Sequence, residues 1–368
     1  MHSFDLDLAR ITERISNPDG KIVIGIDGYK DSVWQILKSR TDSNDHILYE
    51  KMSHFSKTLA GFEEGGFSNE IILKRNSPGG FTANTSKAIL GLEANLLMLG
   101  MFGKNNIDPV FKFFDEAGDV ISVGDPGLVT IYEFTDGKIM LVYLEEVMGF
   151  NWQSMIDAID ENKLKSIYMD ADIIGLGYWS LMPNFEEIVT KICSLMKDNT
   201  KKQRMFFDFA DIQKKEKDSL INALEMLSEL NKQIPMTLSL NEHEAALMYS
   251  YYGETIIQEE DGAGADEQCE KVRSIIGLDE LVVHTPYFAV AASVSEGSCV
   301  VNQNYCASPI ITVGAGDHFN GGYMTAALKG LSIEERLTVG NAVTYLFLSR
   351  GKAPTKEELF EELAKNYI

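Results

Sequence analysis

From about residue 150 onward, helical stretches alternate with short apolar runs, and few architectures accept that rhythm. Helical patterning over 153–163, 183–197, 215–231, 241–251 and 266–277 is interrupted by SIYM, ADIIGLG, RMFFDFA, MTLSL, ELVVHT and FAVAASV. The runs lack the in–out alternation of a half-exposed strand, so they predict strands covered on both faces. Helices between such strands predict βαβ crossovers and a mostly parallel sheet. KIVIGID at 21–27 has the same character and is expected to be a central strand. The fold class is therefore α/β, a central mostly parallel sheet flanked by helices.

Other segments punctuate that plan. Residues 1–20 predict a short amphipathic helical extension, with Leu6, Leu8, Ile11 and Ile15 apolar, closed by Asn17-Pro18-Asp19-Gly20. Trp34–Leu37 and Ile47–Tyr49 predict short strands. TIYEFTDGKIMLVY at 130–143 predicts a hairpin around Asp136-Gly137, a type I′ signal. We expect one large domain over 21–368, with strands from about 34–66 and 129–146 projecting from it as a small β lid. Ser332-x-x-Glu335 and Thr355-x-x-Glu358 are capping-box patterns, and Gly330 and Gly351 stand where helices should stop.

Charge narrows the partners. A formal net charge of −22 over 368 residues repels nucleic-acid backbones and anionic lipid, so neither is an expected partner. No apolar run reaches the length of a membrane span, and the first residues carry early acids unlike a secretory leader. The four cysteines form no C-x-x-C pair, which fits free thiols in a reducing cytoplasm. Small anions stay compatible, because clustered backbone N–H groups can override the global field.

The strongest local signal is Thr312-Val313-Gly314-Ala315-Gly316-Asp317, followed by a helical pattern with Phe319, Tyr323 and Ala327 on one face. Small residues allow a tight turn and close ligand approach. The free N–H groups of the helix start would then face an anion in that turn. A carboxylate there conflicts with a purely structural role, unless it accepts the proton of a hydroxyl attacking phosphorus. A glycine turn ending in a helix cap is the structural alternative.

VGAGDHFNGGY resembles the C-terminal signature of the PfkB, or ribokinase-like, carbohydrate kinases. Gly79-Gly80-Phe81-Thr82-Ala83-Asn84 is similar to that family's G-G-x-x-x-N motif, and Asn241-Glu242-His243-Glu244 to its N-x-x-E motif. Asn341-Ala342 through Ser349-Arg350-Gly351 resembles its last nucleotide-side helix and loop. These elements occur in the family's order over roughly 21–353. The resemblance implies transfer of a nucleotide's terminal phosphoryl group to an alcohol of a sugar-like substrate. By it, Asp317 is the catalytic base, and Gly314, Ala315 and Gly316 form the anion hole. Gly79, Gly80, Asn84 and Asp31 bind substrate, with Asp27 competing for the role of Asp31. Asn241, Thr285, Gly314, Gly316 and Asn341 face the nucleotide, and Glu244 holds hydrated Mg²⁺ or simply caps a helix with Asn241.

The departures also carry implications. Ile311 stands where the family pattern has an aspartate and Val313 where it often has threonine, so monovalent-cation activation is not expected. His284-Thr285-Pro286-Tyr287-Phe288 replaces the family's glycine-rich nucleotide loop. With Phe207-Asp208-Phe209-Ala210-Asp211 it is similar to the ADP-dependent sugar kinases, which keeps ADP open as donor beside the favoured ATP. A nucleoside or vitamin kinase and a non-catalytic sensor are the rival readings. Stacking on a lid aromatic such as Trp34, Tyr49, Phe55, Tyr132 or Tyr143 would favour a nucleoside. Family members often dimerise through the lid, and no apolar stripe legible in the sequence decides whether this chain does. His318 and His243 are expected to pack or face solvent rather than act as bases or ligands.

Overall fold

The structure is a computed structural model that describes residues 7–42, 45–62, 65–256 and 260–366; Leu6 lies outside them. Among the described residues, nine strands form the main sheet: β1 (Ile22–Gly25), β5 (Leu96–Gly100), β6 (Asp119–Ser122), β9 (Ile173–Gly177), β10 (Arg204–Asp208), β11 (Met236–Asn241), β12 (Glu280–His284), β13 (Phe288–Ser293) and β14 (Gly297–Asn302). Their order is β14-β13-β12-β11-β10-β9-β1-β5-β6. All neighbours are parallel except β12–β13 and β13–β14.

Burial explains the sequence pattern. All four residues of β1 are buried, and Ile22 stands between Leu96 and Ile173 on the adjacent strands. Met205, Phe206, Phe207 and Met236 are at most 2% exposed, as expected of core filler. One expected strand is absent. SIYM instead completes the helix Glu161–Asp170, because Leu164, Ile167 and Tyr168 recur at three- and four-residue spacing on its buried face.

A second sheet of five strands is the lid. It contains β2 (Tyr29–Arg40), β3 (His46–Leu48), β4 (Ile71–Gly79), β7 (Gly127–Phe134) and β8 (Gly137–Tyr143). One long strand thus replaces the short one expected at Trp34, and β4 enters the lid from beyond residue 66. The 130–143 hairpin forms, but Phe134 pairs with Gly137, so the loop is Thr135–Asp136. Neither residue has positive φ, and the type I′ reading fails. Asp136 instead accepts from the Met52 N–H at 2.9 Å, which ties the turn to the helix Met52–Ala60.

Three helices fix the geometry that matters most. Phe81–Gly91, Ala315–Leu328 and Ile333–Arg350 pack together at one face of the sheet. A Cβ on Gly321 would meet Ala88 Cβ at 2.6 Å, so only glycine lets Ala315–Leu328 approach Phe81–Gly91 this closely. The Ser332/Glu335 capping box is formed, and Gly351 ends its helix at φ 72°. The helix Leu8–Ser16 packs Ile11 and Ile15 onto the C-terminal helices.

Candidate active site

The site assembles at the carboxyl ends of the parallel strands, where open α/β sheets bind ligands. Gly314 adopts φ 89° and starts the helix Ala315–Leu328, which places Asp317 in its first turn. The Ala315 N–H bonds back to the Thr312 carbonyl at 3.2 Å, so it is spent inside the turn. Gly316 lies against His284, whose ring would be 2.9 Å from an added Cβ.

Asp317 faces the helix Phe81–Gly91. Asn84 Nδ2 donates to Asp317 Oδ2 at 3.0 Å, while Lys87 Nζ donates to Asn84 Oδ1 at 3.0 Å and to the Pro78 carbonyl at 3.1 Å. The residue is half-buried. Loss of solvent raises its pKa well above the ordinary value, the Asp208 and Asp27 carboxyls push the same way, and Asn84 and Lys87 oppose them. Burial lowers the Lys87 pKa, against Asp317 and Asp31, which hold it up. Sequence reasoning missed Lys87. Its spacing from Asn84, three residues on and on the same helical face, was the available signal.

Asp31 and Asp27 take different places. Asp31 lies on β2 opposite Ser77, its carboxyl packed on Gly79, where an added Cβ would come within 2.6 Å. Burial raises its pKa, against Lys87, Lys138 and Arg75. Asp27 is fully buried, accepts from the Thr82 N–H at 2.9 Å and from its hydroxyl, and leaves Oδ2 without a partner. Desolvation pushes its pKa up to about 6. Gly80, at φ 92°, leaves room for it, since a Cβ there would fall 1.9 Å from Asp27 Oδ2. Tyr178, with φ 69°, lies tilted against Tyr29 with ring centroids 5.0 Å apart, and its hydroxyl feels Asp27, Asp317 and Asp31. The structure therefore brings Asp31 and its competitor Asp27, Gly79, Gly80, Asn84, Gly314, Gly316 and Asp317 together and adds Lys87 and Tyr178.

Asp208 ends β10 behind Asp317. It accepts from Asn320 Nδ2 at 2.7 Å and from the Ala210 N–H at 2.9 Å, and Ser239 donates to Asn320 Oδ1. Glu244 and Asn241 form a capping box, with Glu244 Oε2 accepting from the Asn241 N–H at 3.0 Å and Oε1 from the Asp211 N–H at 2.7 Å. Burial and the neighbouring Asp208 raise the Glu244 pKa. Both Glu244 oxygens are thus spent on backbone. Among the described residues no three His, Cys, Asp or Glu side chains converge on a metal position. Glu244, tied to backbone by its cap, would meet hydrated Mg²⁺ through water, since magnesium keeps several waters and takes only one or two carboxylates beside substrate phosphates.

Two candidate nucleotide residues have buried side chains. Asn341 is fully buried and donates to the Val301 carbonyl at 3.0 Å. Thr285 spends its hydroxyl on the Tyr287 and Phe288 backbone, shaping the β12–β13 turn that stands in place of a glycine loop. His318 stacks on Phe347 at 3.6 Å and holds the Gly314 carbonyl through Nδ1, so it packs rather than reacts. Of the lid aromatics, Tyr49, Phe55 and Tyr132 fill a small lid core with Ile36 and Phe134. An open cavity of about 860 Å³ borders Asn84, Lys87, Val313 and His318.

The nine-stranded sheet, the β lid and the glycine-turn helix start are together the architecture of the ribokinase-like, or PfkB, carbohydrate kinases, a class of phosphotransferases. The sequence matches the family described as prokaryotic ketohexokinase over residues 8–367, and the chain belongs to that family. It is 26% identical over 370 residues to the ketohexokinase of Haloferax volcanii, covering 97% of this chain and 94% of that protein. Its fold is similar to the ribokinase of Thermotoga maritima, with TM-score 0.62, 18% identity, and coverage of 94% of this chain and 99% of that one. It is equally similar to phosphofructokinase-2 of Escherichia coli, with TM-score 0.62, 15% identity and the same coverage.

Proposed function

We propose that this chain transfers the terminal phosphoryl group of ATP to a hydroxyl of a ketohexose, with Asp317 as the base. The substrate oxygen attacks the terminal phosphorus, the bond from phosphorus to the bridging oxygen breaks, and ADP leaves. The hydroxyl proton passes to the Asp317 carboxylate as the new bond forms. Gly314 and Gly316 let the transferred group approach the helix start, whose remaining N–H groups stabilise its charge. Asn84, Asp31, Gly79 and Gly80 hold the sugar, and the lid excludes water that would otherwise accept the phosphoryl group.

The observation that carries this reading is the Asn84–Asp317 contact, which joins the G-G-x-x-x-N helix to the glycine turn at one point. Family membership adds the acceptor class, because the matching relative is named a ketohexokinase. A homodimer through the lid belongs to the same reading. Met140, Leu141, Val142 and Tyr143 are successive exposed residues on β8, an edge strand that invites a partner.

The test is ADP release with ATP and Mg²⁺ against D-fructose, D-ribose, fructose 6-phosphate and adenosine. The expected result is the highest kcat/KM with fructose. A higher value with any of the other acceptors would overturn the ketohexose assignment. Turnover with ADP and none with ATP would overturn the donor.

A further inference from the structure

A second cavity, of about 870 Å³, lies at the opposite end of the main sheet, beside the amino ends of β9, β10 and β11. Its volume falls in the range of small-molecule sites. Six cations line it (Arg10, Lys197, Lys201, Lys202, Arg204 and Arg336), against two carboxylates, Asp172 and Glu296. In a chain of net charge −22 this is a local reversal of sign.

Both carboxylates are already engaged. Asp172 Oδ2 accepts from Lys201 Nζ at 3.0 Å and from the Lys21 N–H at 2.8 Å. Glu296 pairs with Arg336 and accepts from the Ile333 N–H at 2.9 Å. Arg204 is held by Asp279 at 2.7 Å, and Arg10 lies 3.5 Å from Glu335. Lys197 and Lys202 are exposed and have no carboxylate partner among the described residues. Met196, Pro235, Leu328 and Leu331 contribute apolar wall to the same space.

We propose that this cavity binds a small phosphorylated organic molecule, its phosphate between Lys197 and Lys202 and its carbon body against the apolar wall. Two unpaired ammonium groups match the charge of a phosphate monoester dianion, and lysine serves phosphate well as a point charge. This ligand is separate from the substrates of the transfer reaction. Asp317 and Leu328 lie on one helix, eleven residues or about 16 Å apart, with the cavity at its far end.

The test is equilibrium dialysis of phenyl phosphate, inorganic phosphate and citrate against the full chain, with the catalytic cleft saturated by a non-hydrolysable ATP analogue and fructose. Phenyl phosphate is expected to bind saturably and several-fold more tightly than inorganic phosphate. K197E/K202E should weaken it about tenfold or more, and K197Q/K202Q by less, with kcat/KM unchanged in both. No saturable binding, equal affinity in the K197E/K202E protein, or citrate binding more tightly than phenyl phosphate would each overturn the proposal.

Discussion

Asn84 mediates between two charges of opposite sign. Its amide N–H donates to Asp317 and its carbonyl accepts from Lys87, so the carboxylate and the ammonium are linked through one side chain. A carboxyl deprived of water is a stronger proton acceptor than an exposed one, yet it must be ionised to work. Lys87 favours the ionised form of Asp317, and burial opposes it. Lys87→Met removes that cation, so the Asp317 pKa rises further and the acid limb of kcat/KM moves to higher pH. A pH–rate profile checks this, and an acid limb at unchanged or lower pH would contradict the coupling. Asp27 is different. Its second oxygen is buried without a partner, in a space that Gly80 keeps open, at the substrate side of the same network.

At the scale of elements, the β4 end and the start of the helix Phe81–Gly91 form the second turn of the site. Gly80 combines φ 92° and ψ 168°, a region essentially closed to other residues, with the closest approach to Asp27. Gly80→Ala is expected to lose about 3 kcal/mol or more of stability, read by denaturant unfolding. A loss below about 1 kcal/mol would show that the turn relaxes. Such turns were legible in the sequence, because glycine spacing and capping boxes are local codes. The parallel sheet was legible for the same reason, through continuous apolar runs. SIYM reads as a strand but folds as helix, because a four-residue apolar run does not separate a strand from a buried helical turn. The partnerships of Asp208 with Asn320, 112 residues apart, and of Asn84 with Asp317, 233 apart, were beyond any local pattern. Resemblance names Asn84 and Asp317 and includes Asp208 within a motif, but nothing in the sequence announces Asn320 as the partner of Asp208 or the orphaned oxygen of Asp27.

At the scale of the molecule, the lid is the element whose surface remains unaccounted for by the monomer. Its small core around Ile36, Tyr49 and Phe134 holds it together, while β8 turns Met140–Tyr143 outward. If two lids pair, light scattering will give twice the mass of 41.0 kDa, and Leu141→Glu will shift the protein to monomer. A monomeric mass for the unaltered chain at micromolar concentration would contradict the pairing.

Sheet ends, lid and helix packing converge on one carboxyl group, and its function can be isolated. Asp317→Asn keeps the side chain's shape and its place beside Asn84 while removing the proton acceptor. The expected outcome is a melting transition that does not fall and that rises at neutral pH, because the amide removes a carboxylate disfavoured by burial, Asp208 and Asp27. Nucleotide binding by calorimetry is retained, and kcat is lower by about 10²–10⁴-fold. The measurement is single-turnover phosphoryl transfer from ATP to fructose in the two proteins. A variant that folds, binds and still transfers the phosphoryl group at the rate of the unaltered enzyme would contradict the role assigned to Asp317.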